Sequence, residues 1–296
     1  MVDIKQYSSL EKILELCKNI DIPGEVVEKV SGFIDTTGLS SAAPYFDGLF
    51  SRKTGADSVK AVEALYTDEN GAAMYSGFGL MAVYLAAALH TREMYEAMGV
   101  DLSIYFDTMG FFRRTLDFNR LIDGEYTFLR TDWYYRQIAC LICKLGELEY
   151  ELYYPDSEIL AKCWMGEGEP VLSVHIPPDA VLTREELDRS YSMAHSFFRK
   201  YHPDFDYKAI FCSTWLLAPE MKLFLRAGSR ILVFQSDYDI KDVNYDADWY
   251  MSFMFKIAGK VEDYNILPVN TTLQRAAKKH LIGGGKIGWT TGLRRE

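Results

Sequence analysis

The stretch Val171-Leu-Ser-Val-His-Ile176 holds the residue of this chain best suited to move a proton. It is followed by Pro177-Pro178 and then by Thr183-Arg-Glu-Glu186, which has capping-box spacing. The pattern reads as a buried strand, a short loop and a capped helix. The start of such a helix offers unpaired N–H groups and the positive end of the helix dipole, and both favour an anion. His175 shares a strand face with Ser173 and Val171. Imidazole as a type changes charge near neutral pH, which suits it to general base work. Upstream, Glu147, Glu149 and Glu151 alternate with Leu148, Tyr150 and Leu152, so one strand has an apolar face and an acidic face. The plainer reading of the acids is a solvated edge strand. The functional one is attraction of a cationic ligand to the acidic face.

Other suggestive spacings lose their meaning in context. Cys140-Leu-Ile-Cys143 lies in an apolar run without a second pair at ligand spacing, which reads as two structural thiols. The acidic run from Asp237 to Asp248 fails as a calcium loop, since a loop begun at Asp242 puts Ala247 at the required glycine and Phe253 at the required glutamate. Gly283-Gly-Gly-Lys286 is followed by Ile287 instead of Ser or Thr, so a phosphate loop is replaced by a helix end running into a strand. No Gly-x-Ser-x-Gly elbow is present. A bound metal is not expected.

The bulk composition limits the partners. Of 296 residues, 49% are hydrophobic and 25% charged, and the net charge is −10. That is an ordinary globular chain whose surface repels nucleic acid and anionic lipid. Five scattered cysteines (Cys17, Cys140, Cys143, Cys163 and Cys212) fit free thiols in a reducing cytoplasm better than a disulfide framework. The uncharged run from Gly71 to Leu89 imitates a membrane span. Its Ala and Gly content and charged flanks instead predict a buried central helix.

The elements that must position His175 change character near residue 125. Before it, apolar residues recur at helical spacing: Leu10, Ile13, Leu14 and Cys17; then Val26, Val27, Val30 and Phe33; then Val59, Val62 and Leu65. Five or six helices in a bundle are predicted for residues 1–125, which carry net −8 against −2 for the remainder. After it, strands are predicted at 148–152, 171–176, 209–216, 231–234 and around 287–291. Helices are predicted at 184–201, near Pro219, at 247–257 and at 273–281. The fold class is therefore α/β (α+β), a helical domain 1–125 and a mixed sheet flanked by helices in 126–296.

This second half resembles the GNAT-like acyltransferases, specifically the group that joins a helical N-terminal domain to a GNAT-like C-terminal domain. The resemblance is carried by Leu145-Gly-Glu-Leu-Glu-Tyr-Glu-Leu152, Leu172-Ser-Val-His-Ile-Pro177, Ala194-His-Ser-Phe-Phe198 and Cys212-Ser-Thr-Trp-Leu-Leu217, and more weakly by Ile231-Leu-Val-Phe234 and Gly283-Gly-Gly285. It implies transfer of an acyl group from acetyl-CoA or another acyl-CoA to a small-molecule or peptide amine. It also implies a central strand, Leu172–Ile176, that splays from Phe211–Trp215. Val174, Ile176, Ser213 and Trp215 would then hold the thioester and pantetheine. Ala180, Val181, Thr183 and Arg184 would hold the pyrophosphate, and His175 and Glu149 are the candidate bases. The loop Pro177–Thr183 departs from the family's glycine-rich cradle, having no glycine and adding Asp179. Two rivals stand beside the enzyme: a ligand-binding or interaction protein that keeps the fold without catalysis, and a transferase with Cys212 as an acyl-carrying nucleophile. Arg275, Lys278 and Lys279 share one helical face, read either as a solvated face or as attraction for the 3′-phosphate of CoA.

Overall fold

In the computed structural model, residues 1–70, 72–129, 131, 133–155 and 169–295 are described; Cys163 lies outside them. Contacts divide the chain into two compact units, Met1–Lys144 and Leu145–Glu296.

The first unit is helical: α1 (Leu10–Asn19), α2 (Gly24–Thr36), α3 (Ala43–Phe46), α4 (Gly55–Leu65), α5 (Phe78–Ala97), α6 (Leu102–Met109), α7 (Phe111–Asp123) and α8 (Tyr135–Ile138). Ser9 caps α1 by accepting from Lys12 N, and the predicted stripe supplies its buried face through Ile13 and Cys17. From Phe78 onward the uncharged run becomes α5, whose residues from Phe78 to Ala88 are all buried, and which packs against α1, α2, α6 and α8; residues 72–75 of the run lie outside that helix and are exposed. Its polar groups are satisfied internally: Thr91 Oγ1 donates to Ile138 O, and Tyr84 OH donates to Thr131 O. No described helix is long and apolar enough to cross a membrane.

Gly124, at φ 81, ends α7 in a left-handed cap, which is why the sequence changes character there. The segment that follows nevertheless packs with the helices. Asn119 Nδ2 donates to Thr127 O and Leu129 O, and Lys144 N donates to Thr108 Oγ1. The contact boundary accordingly falls after Lys144.

The sheet is six-stranded and mixed: β1 (Ile142–Leu145), which runs across the boundary after Lys144, then β2 (Leu148–Tyr153), β3 (Val171–His175), β4 (Ile210–Thr214), β5 (Asp239–Asn244) and β6 (Trp289–Arg294), in the order β1-β2-β3-β4-β6-β5. The β3–β4 pair is parallel, and the β2–β3, β4–β6 and β5–β6 pairs are antiparallel. The connecting helices are α9 (Arg184–Tyr201), α10 (Met221–Phe224), α11 (Arg230–Gln235) and α12 (Thr272–Ile282). Gly146 turns the chain from β1 into β2 at φ 68. A Cβ there would also meet Ser190 Cα at 3.1 Å, so the position combines a backbone demand with a close approach to α9.

Two predicted elements are different in the fold, and one strand was not predicted. Ile231–Phe234 lies in helix α11 and not a strand, because Ser229 caps it by accepting from Leu232 N; four apolar residues carry too little period to tell the two apart. The predicted helix 247–257 is a single π-type turn, Met251–Phe255, ended by Lys256 at φ 58. The acidic run contributes strand β5, with a bulge between Ile240 and Asp242.

Candidate active site

The register sorts the sheet into two chemically distinct faces. Tyr150, Leu172, Val174 and Cys212 share one face and are buried; Tyr150 OH lies 3.0 Å from Ser190 Oγ of α9. Cys212 belongs to this packed layer. Burial pushes its thiol well above the ordinary value, the opposite of what an activated nucleophile requires.

The opposite face carries Glu149, Glu151, Ser173, His175, Ser213, Thr291 and Trp289. Glu149 stands directly across from His175 in the β2–β3 ladder, and His175 Nε2 lies 3.2 Å from Glu151 Oε2. The Glu151 side chain is only 2% exposed. The acids are therefore not a solvated edge: β2 has β1 and β3 on either side, and both Glu149 and Glu151 are buried. The alternation fixed which residues share a face. It gave no account of what would cover that face. Farther along, Trp289 Nε1–H donates to Ser213 Oγ at 2.9 Å, and Ser213 Oγ is 3.2 Å from Thr291 Oγ1.

Between the two central strands the ladder is short. Pairing runs from Leu172↔Ile210 to Val174↔Cys212, whereas β3 continues to His175 and β4 to Thr214. The pairing ends next to His175 and Ser213, one residue beyond Val174. Trp215 packs against the C-terminal apolar core.

The loop from β3 to α9 is closed by Ala180 N–H donating to Pro177 O, and Thr183 Oγ1 accepts from Glu186 N at the helix start. Two of the groups assigned to an anion already hold carboxylates. Val181 N–H donates to Glu147 Oε2 at 2.7 Å. Arg184 forks onto Asp237 at 2.6 and 3.0 Å and also reaches Asp188 at 2.8 Å; these pairs raise its already high pKa further. The C-terminal cations are likewise engaged. Lys278 donates to Asn265 O and Leu267 O, Arg275 donates to Val269 O, and the Arg294 guanidinium lies 4.2 Å from the Tyr191 ring centre. Among the described residues no His, Cys, Asp or Glu cluster could hold a metal.

Sequence reasoning did not single out Glu151 as the partner of His175, nor Asp237 as that of Arg184. Glu151 was marked by its i, i+2 spacing from Glu149. Asp237 had no local signal, because its partner is 53 residues away.

Residues 142–294 match the family profile of the GNAT-like C-terminal domain, and residues 11–140 that of the N-acyltransferase N-terminal domain. The chain belongs to the GNAT-like N-acyltransferase family. Solved structures share this two-part fold at low identity. One, an acyltransferase in complex with decanoyl-CoA and teicoplanin, superposes with a TM-score of 0.78 at 18% identity, covering 96% of this chain and 88% of that one. A second, an acyltransferase in complex with decanoyl-CoA, gives 0.73 at 21% identity, covering 95% and 86%. No curated protein sequence matches the chain significantly.

Proposed function

We propose that this family member transfers an acyl group from an acyl-CoA thioester to a small-molecule or peptide amine. The observation that supports the reading is that the β3–β4 ladder ends beside the contact between half-buried His175 and buried Glu151 on the adjoining face. A strand whose main-chain groups have left the ladder can bind a carbonyl and the pantetheine amides. The acceptor nitrogen attacks the thioester carbon, the carbon–sulfur bond breaks, and CoA leaves as the thiolate. The proton lost by the amine passes to His175, held by Glu151, with Glu149 across the ladder as the alternative acceptor. The related structures are complexes with decanoyl-CoA and octanoyl-CoA, which supports a medium-chain donor besides acetyl-CoA.

The cofactor would lie along Val174, Ile176, Ser213 and Trp215, with its pyrophosphate at Ala180–Arg184. At that end Val181 must exchange Glu147, and Arg184 must exchange Asp237, for phosphate oxygens. The four described cysteines are free thiols, which supports the reducing cytoplasm as the setting.

The second reading, a binding protein without catalysis, is favoured by those same carboxylates at the anion site. Calorimetric titration with acetyl-, octanoyl- and decanoyl-CoA, followed by thiol release in the presence of amines, separates the two. Binding with amine-dependent release supports the enzyme. Binding without release supports the second reading, and silence throughout removes acyl-CoA from both.

A further inference from the structure

Trp249 and Phe253 are 63% and 43% exposed, and both rings meet Trp289, at 5.1 and 6.4 Å between centres. Single exposed rings are ordinary; two that both rest against a third make an aromatic platform. Its base is rigid. Met251, Met254 and Phe255 of the same turn are buried in the C-terminal core, and Trp289 is pinned to Ser213 through its indole N–H. We propose that this platform binds the acceptor, and that the acceptor is a cationic amine carrying an aromatic or other flat apolar ring a few bonds from its nitrogen.

The proposal rests on the acyl-transfer reading and follows from the register. Ser213 and Trp289 lie on the same sheet face as Ser173, His175, Glu149 and Glu151, and α9 packs on the other face. An amine must approach the thioester from the side on which its proton is taken, so the acceptor arrives over this face. β3 and β6 are separated by β4 alone, hence by about 10 Å at the usual strand spacing. A ring joined to an amine by two or three carbons spans that interval, with the ring edge-on or stacked against indole. The ammonium form is drawn toward Glu149 and Glu151 before it gives up its proton.

The test compares 2-phenylethylamine with n-butylamine as acceptors, using octanoyl-CoA. The wild-type protein should prefer 2-phenylethylamine by about tenfold in kcat/KM, and the Trp249→Ala/Phe253→Ala variant should lose most of that preference. The preference for octanoyl-CoA over acetyl-CoA should hold in both. Saturation-transfer NMR without acyl-CoA supplies an independent readout. The phenyl protons of 2-phenylethylamine should receive saturation from the wild type and lose it in the variant. If transfer to every amine fails while this NMR difference is present, the acyl-transfer reading falls and the platform stands. An unchanged acceptor preference, an unchanged NMR signal, or a shift in acyl-chain preference overturns the platform.

Discussion

The two faces of the C-terminal sheet are made from alternate residues of the same strands, yet they solve opposite problems. Toward α9, Leu172, Val174 and Cys212 bury apolar surface, and the polar Tyr150 is satisfied by Ser190. On the other side Glu149 and Glu151 are removed from water next to His175, an arrangement that packing alone does not reward. The first face serves packing. The second also buries Val171, Phe211 and Leu293, yet it holds ionisable groups where stability is poorly served, which is what the proposed site would need.

The sharpest way to break this contrast is to remove the imidazole. His175→Ala should lower kcat by about 10²- to 10⁴-fold with little change in acyl-CoA affinity, and Glu151→Gln, which alters only how the ring is held, should fall short of that. Stopped-flow thiol release and calorimetry read the two quantities, and full turnover in His175→Ala would erase the distinction between the faces. On the packed face, Leu172→Ala should lower stability by about 2–5 kcal/mol in denaturant melts while turnover per folded molecule stays close to normal. A variant that melts normally but fails to turn over would place chemistry on both faces.

Smaller effects sharpen the picture at the start of α9. Glu147→Gln weakens the carboxylate's hold on Val181 N–H, and acyl-CoA affinity should rise by about three- to tenfold in calorimetry. No change, or weaker binding, would put the phosphate elsewhere. The smallest effect concerns His202 at the other end of α9. Burial holds its pKa below the ordinary 6.5, so the unfolded chain takes up a proton that the folded chain refuses. Stability should therefore fall as the pH drops below about 6.5. His202→Gln should make that acid limb shallower in thermal melts at pH 5 and pH 7, and identical limbs would show that other groups set it.

Much of this was legible in residue order. The compact apolar run from Val171 to Ile176, the Pro177-Pro178 stop and the Thr183 cap located β3, its loop and α9, because each is a local instruction. The burial of Glu149 and Glu151 was not legible, since it depends on neighbours that flank β2 from both sides. Ile231–Phe234 was ambiguous in period, and the capping Ser229 decided it. Arg184 looked available to a ligand because nothing within its own stretch revealed Asp237. Local patterns pointed to the candidate site, and distant partners determine the state in which its groups are held.

The bond from Val181 N–H to Glu147 Oε2 has one more consequence. A carboxylate held beside its donor by the fold competes as a ligand of constant effective concentration. A diffusing phosphate must outcompete this internal ligand to occupy the donor. The apparent dissociation constant of the cofactor is then raised by a factor set by the chain's own geometry, and altering the Gly146–Glu147 turn would change that factor without touching a single group that meets the thioester.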